Sequence, residues 1–201
     1  STLMIVKLKD TDASENTEKA IEEIRSITGK QAFLSGIGGV IKDTKDLADK
    51  ETPIYILIAV ILSVIILSLT MESFVIPIIF MLSIGIAVVY NMGTNIIFGE
   101  ISYITKALSA VLQLAVTMDY SIFLLNRYDE ERANNSNNID AMAVAIQKTI
   151  SSIAGSSLTT IAGFLALCIM ELGFGKDIGF VMAKGVVFGV ICTITVLPAM
   201  I

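Results

Sequence analysis

Hydrophobic and polar positions divide the chain into a mixed first quarter and an apolar remainder. Beyond Lys50, five stretches run almost without charge, at residues 52–71, 74–98, 107–125, 149–170 and 178–201. A helix rising 1.5 Å per residue crosses a hydrocarbon core of roughly 30 Å in about 20 apolar residues, so each stretch predicts a membrane-spanning helix. "MESF" at 71–74 leaves room only for a tight turn, which makes the first two spans an antiparallel hairpin. Ahead of the spans the pattern changes. Leu3 to Lys9 alternates as a strand does, and Asp12 to Ile27 reads as a helix with acidic residues in its first turn. That helix places Ile21, Ile24 and Ile27 on one face and stops at Gly29. Gln31 to Leu34 reads as a second strand, "SGIGG" as a turn, Val40 to Lys50 as a helix leading to the membrane, and Pro53 as the entry to the first span. Two strands and two helices in about 50 residues bury too little to fold well alone. Residues 1–51 are therefore expected to be the end of a larger water-soluble domain. The fold class predicted is a bundle of five transmembrane helices (52–201) preceded by a partial α+β segment outside the membrane.

Composition agrees with the pattern: 54% of residues are hydrophobic and the mean hydropathy is +0.78. The chain has no histidine, and its two cysteines, Cys168 and Cys192, fall inside spans, where a thiol acts as a small apolar filler. No metal site and no cofactor are expected. A net charge of −5 without a basic cluster excludes nucleic acid as a partner. The opening run looks like a strand rather than a signal peptide. "ITGK" lacks the first glycine and the final Ser or Thr of a phosphate-binding loop. The loop from Asn126 to Thr149 carries Arg127, Arg132 and Lys148, which assigns it to the inner side of the cell membrane and the first quarter to the outer side.

Asp119 is the residue out of place. It lies roughly 12 Å along the helix from Arg127, well within the hydrocarbon. A carboxylate there costs several kcal/mol unless it faces the bundle interior, water or a partner, or takes up a proton. On a helical wheel its face is shared with Leu108, Leu112, Ala115 and Phe123, while Ser109, Gln113, Thr117 and Ser121 make a polar stripe beside it and Tyr120 stands between. That stripe serves either as a hydrated path or as a helix contact. In the fourth span, Ser151, Gly155, Thr159 and Gly163 form one four-residue ladder, and Ser152, Ser156 and Thr160 another. Close helix packing accounts for both, and a sharper reading has one of these hydroxyls bonded to the acid. Lys184 is not expected to pair with Asp119, because the two differ in depth by roughly 10 Å, and snorkelling to the outer side suits it better. An intramembrane aspartyl protease is excluded by the order of "MDY", by Lys176 ahead of Asp177 and by the depth of Asp177.

The runs "TMDYSIFLLNRYDEER", "SSLTTIAGFLAL" and "IGFVMAKGVVFGVICTITVLPAM" together resemble the MMPL branch of the RND superfamily, relatives of proteins with sterol-sensing domains. The resemblance implies that residues 1–51 end an extracytoplasmic porter domain and that the five spans are helices two to six of one transporter half. It implies proton coupling at Asp119 and Tyr120; Gln113 and Thr117 of the stripe and Ser156, Thr159 and Thr160 of the fourth span are, from their spacing alone, the candidate supporting polar residues. It further implies membrane lipids as surroundings, a lipid or other hydrophobic compound as substrate, no enzyme activity, and a second RND half or another subunit as partner. A SecDF-like translocation helper and a sterol-sensing-like lipid-binding module are the alternatives.

Overall fold

A computed structural model describes residues 3–29, 32–70, 75–98, 101–135, 137–171 and 173–201. It contains helices α1 (Glu15–Thr28), α2 (Ile37–Thr70), α3 (Val75–Thr94), α4 (Tyr103–Arg132), α5 (Asn138–Leu167) and α6 (Gly173–Met200), with a 3-10 turn at Asn95–Phe98 after α3. Two compact units divide the chain at Thr52 and Pro53.

The first unit corrects the partial α+β expectation: no strand forms among the described residues. Leu3, Met4 and Ile5 are exposed, and neither they nor residues 32–35 belong to a strand among the described residues. An alternating run has strand propensity, but a strand exists only where a second one satisfies its backbone. Gln31 lies outside the described residues. α1 forms as expected, capped by Ser14, whose side chain accepts from the Thr17 amide at 3.2 Å. Its buried face is Thr17 and Ile21, whereas Ile27 is exposed, so the apolar stripe is narrower than its spacing suggested. α2 begins at Ile37, inside the glycine-rich run read as a turn. Ion pairs join α1 to the start of α2: Arg25 to Asp43, Lys45 to Glu18 at 2.8 Å, and Lys42 to Glu22 at 3.1 Å. Arg25 and Asp43 form an exposed pair, which stabilises by no more than about 1 kcal/mol, whereas Lys42 is buried between its carboxylates.

In the second unit, all five predicted spans are helices long and apolar enough to cross a membrane. Four are longer than their apolar cores. α4 runs on through the charged "NRYDEER", α5 absorbs the expected approach helix at 141–148, and α6 takes up most of the hinge before residue 178. α2 likewise passes Pro53 without ending, since a proline removes one amide donor but leaves the rest of the ladder intact. The tight turn expected at residues 71–74 lies outside the described residues. α6 is the centre of the bundle, packed against α3, α4 and α5, and α4 also packs against α3 and α5. The core includes Leu67, Phe80, Leu124, Leu125, Ile153, Val186 and Leu197, each at most 2% exposed.

Two features set how closely the helices approach. A Cβ placed on Gly179 would lie 2.5 Å from the Phe164 carbonyl oxygen of α5, and one on Gly189 would lie 2.5 Å from Oγ1 of Thr117 on α4. α6 therefore needs glycine at both positions. At the ends, Asp177 of α6 accepts from the amide of Ser102 at the start of α4, at 3.3 Å. At the other end of α4, Glu131 bonds Lys148 of α5 at 2.7 Å and Arg127 at 3.0 Å. Asn137 then caps α5 through the Ile139 amide.

Candidate functional site

α4 has two working faces, and the sequence stripe belongs to the one that Asp119 does not. Gln113 is buried; its Nε2 donates to the Gly185 carbonyl of α6 at 3.2 Å, and its Oε1 accepts from Nδ2 of Asn91 on α3 at 2.7 Å. One turn on, Thr117 packs against Gly189, and one turn further the Ser121 and Thr193 hydroxyls are 3.3 Å apart. These contacts, Gln113 with Gly185, Thr117 with Gly189 and Ser121 with Thr193, advance four residues at a time on both helices. Only parallel, nearly aligned helices keep such a register. The stripe is therefore a helix contact. Gln113 and Thr117, expected as supporting residues for the acid, face α6 instead.

Asp119 lies on the face toward α5. With Tyr120, Val116 and Phe123 of α4 and Ser152, Ile153, Ser156 and Thr160 of α5 it lines an open-sided cavity of about 390 Å³. Three hydroxyls thus share a cavity with the carboxyl group. Tyr120 is 6% exposed, and its hydroxyl has no hydrogen-bond partner among the described residues. A buried phenol without a partner is costly, so a group that arrives in the cavity, a water or the carboxylate itself, gains a ready donor. Ser156 and Thr160 were expected near the acid from their spacing, and both line the cavity. Thr159 does not; its hydroxyl turns back to the Ser156 carbonyl at 2.7 Å. The Thr160 hydroxyl also bonds that carbonyl, at 3.0 Å.

The small-residue ladders of α5 do not pack as expected. A Cβ on Gly155 or on Gly163 would meet nothing within 4 Å, and Ser151, Ser152, Ser156 and Thr159 are exposed. Within this chain the close approaches are made by the glycines of α6. Small residues show that a neighbour can come near without saying which neighbour does.

Lys184 bonds away from Asp119, as the depth arithmetic requires. Its Nζ donates to the Asn91 carbonyl at 3.0 Å and to the side chain of Asn95, both at the C-terminal end of α3. Cations are favoured at that end of a helix. Asn91 and Ser152 are the site-region residues that sequence reasoning missed. Ser152 stood in the ladder with Ser156, and Asn91 was one of two amides, with Asn95, inside the second apolar span. Among the described residues no cluster of metal-ligating side chains occurs.

The family model "MMPL family" matches residues 2–201, the whole chain but its first residue. The chain belongs to the MMPL family. A Streptomyces coelicolor relative, ActII-3, is 26% identical over 201 residues, covering 94% of this chain and 28% of the relative. The siderophore exporter MmpL5 of Mycobacterium tuberculosis is 22% identical over 98% of this chain and 22% of its own length. The trehalose monomycolate exporter MmpL3 of the same organism is 26% identical over 51% of this chain and 11% of its own length. This MMPL chain thus spans about a quarter or less of the curated relatives it matches. No solved structure matched it. Family membership and the five apolar helices together make it a multi-pass membrane protein.

Proposed function

We propose that this chain is the membrane part of a proton-motive-force-driven MMPL exporter of lipids or other hydrophobic compounds, working in the cell membrane with Asp119 and Tyr120 as its coupling pair. Residues 1–51 are then the end of an extracytoplasmic porter domain. The observation that carries the reading is the shared cavity of Asp119, Tyr120, Ser152, Ser156 and Thr160. A cavity of about 390 Å³ is roomy enough for water beside the carboxyl group. The exporters MmpL5 and MmpL3 among the relatives support the direction and class of transport.

The chemistry follows from depth: Asp119 is exposed on the surface of this chain, within a helix long and apolar enough to cross a membrane. Ionised, Asp119 requires water or hydroxyl donors, and the three hydroxyls and Tyr120 give a hydrated cavity its lining. Protonated, it is a neutral group that a drier, narrower cavity tolerates. Each proton taken up or released therefore shifts the balance between a wet, open and a dry, closed arrangement of α4 and α5, by as much as the two states differ in affinity for that proton. The exposed small-residue face of α5 leaves the cavity open on one side, where a second RND half, on the same chain or another subunit, completes the site.

The test uses full-length protein in proteoliposomes under an imposed pH gradient, with export of a fluorescent NBD-labelled phospholipid as the readout. Asp119→Asn is expected to abolish gradient-driven export while the protein stays inserted and folded. Full export by that variant would refute the coupling role.

A further inference from the structure

Above the cavity, three helices are joined by a closed circuit. Lys184 of α6 donates to the Asn91 carbonyl of α3 at 3.0 Å; the Asn91 side-chain amide donates to Gln113 of α4 at 2.7 Å; and Gln113 donates to the carbonyl of Gly185 at 3.2 Å. Lys184 and Gly185 are neighbours on the chain, so the circuit returns to its start. Asn91 and Gln113 are 0% and 1% exposed, where each hydrogen bond is strengthened by its low-dielectric surroundings. A glycine closes the ring for a reason: a Cβ on Gly185 would lie 2.7 Å from Nδ2 of Asn91 and 3.2 Å from Cδ of Gln113.

The grip on α4 weakens beyond this ring. One turn along, the Thr117 hydroxyl is buried with no hydrogen-bond partner among the described residues. A further turn along, Ser121 meets Thr193 at a long 3.3 Å. Asp119 follows Gln113 by six residues, about 9 Å of rise. The firmest polar attachment of α4 to α3 and α6 therefore stands one and a half turns before the acid, while the far end of α4 is held to α5 by Glu131 and Lys148 at 2.7 Å. Rotation of α4 about its own axis decides whether Asp119 meets the α5 hydroxyls or slides past them.

We infer that Lys184, Asn91 and Gln113 are positioning residues for Asp119, a hydrogen-bond circuit through α3, α4 and α6 that fixes the rotational phase of α4 and so turns the acid toward α5. The functional weight of this inference rests on Asp119 being the coupling acid. The geometric content does not, and the two are separable by experiment. Breaking any one link opens the whole circuit, so single cuts have similar effects and double cuts are not additive.

The experiment measures the rate at which dicyclohexylcarbodiimide labels Asp119 across pH 5 to 8 in membranes containing the full-length protein, read by mass spectrometry. The variants are Asn91→Leu, Gln113→Leu, Lys184→Met and the pair Asn91→Leu with Gln113→Leu, and Asp119→Asn is the blank. Each single variant is expected to change the labelling rate by about threefold or more, and the double no further. Lys184→Arg, which keeps a cation able to reach the Asn91 carbonyl, is expected to stay near wild type. Should the leucine variants fail to fold, Asn91→Ser cuts the same link without adding bulk. Labelling unchanged across the folded variants, or additive effects in the double, would overturn the inference. Transport that survives Asp119→Asn would instead defeat the coupling role, leaving the labelling result to judge the geometry by itself.

Discussion

Gly189→Ala tests how the α4–α6 contact is built. The new methyl would lie 2.5 Å from Oγ1 of Thr117 and 3.3 Å from both Cβ and Cγ2 of that residue. The first distance is about 0.9 Å short of ordinary contact, which begins at 3.4 Å. Threonine cannot swing clear, because it is branched at Cβ and a change of rotamer puts another substituent into the same gap. The helices must separate or twist, and overpacking of this kind costs about 1–3 kcal/mol. Higher helix propensity returns up to about 1 kcal/mol, leaving a net loss of roughly 0–2 kcal/mol. Thr117→Ala removes the offending hydroxyl, which has no hydrogen-bond partner among the described residues, so alone it changes stability by no more than about 1 kcal/mol. Combined, the two substitutions relieve each other, with a coupling of about 1 kcal/mol or more. The assay is an SDS unfolding titration of purified protein followed by circular dichroism, with the buried thiol of Cys192 as a check that each variant starts folded. Additivity within about 0.5 kcal/mol would show that Thr117 and Gly189 are not in contact and would refute the parallel register derived from them.

Other outcomes follow from the same geometry. Gly179→Ala is expected to destabilise by about 1–3 kcal/mol in the same titration, and no side-chain change should rescue it, because the atom in the way is the Phe164 backbone oxygen. Glu131→Ala should lower stability more than Glu130→Ala: Glu131 is buried between Arg127 and Lys148, whereas Glu130 is exposed and pairs with Arg127 alone. With Cys168 and Cys192 replaced, cysteine at Ser152 or Ser156 should react readily with N-ethylmaleimide and cysteine at Ser157, which is 6% exposed, should react slowly. The reverse order, read by mass shift, would mean that α5 is rotated from the orientation described.

The five spans were legible because hydrocarbon imposes a length and a composition that a single segment must meet alone. The strands read at Leu3 to Lys9 and at Gln31 to Leu34 do not form among the described residues, since a strand depends on a partner that its own residues do not specify. Asp119 and Tyr120 stood out as polar groups in an apolar run, and the wheel correctly set the stripe of Gln113 and Thr117 beside the acid rather than on it. What the wheel lacked was the neighbour. The matching four-residue spacing of Gly185, Gly189 and Thr193 was in the sequence, and only the packed bundle shows it against α4. The ladder of Gly155 and Gly163 has the same spacing, yet among the described residues nothing lies within 4 Å of a Cβ built on either glycine. Spacing describes a surface that permits close approach; the partner's identity is a property of the assembled fold.

The coupling role of Asp119 is tested most directly by proton movement measured together with transport. Full-length protein in proteoliposomes, with pyranine in the lumen, is given NBD-labelled phospholipid under an imposed pH gradient. Lumenal pH and lipid movement are then followed in the same sample. Wild type and Thr159→Val should show the two signals changing together, and Asp119→Asn should show neither above protein-free liposomes. Coupled proton and lipid movement that persists in Asp119→Asn would contradict the account.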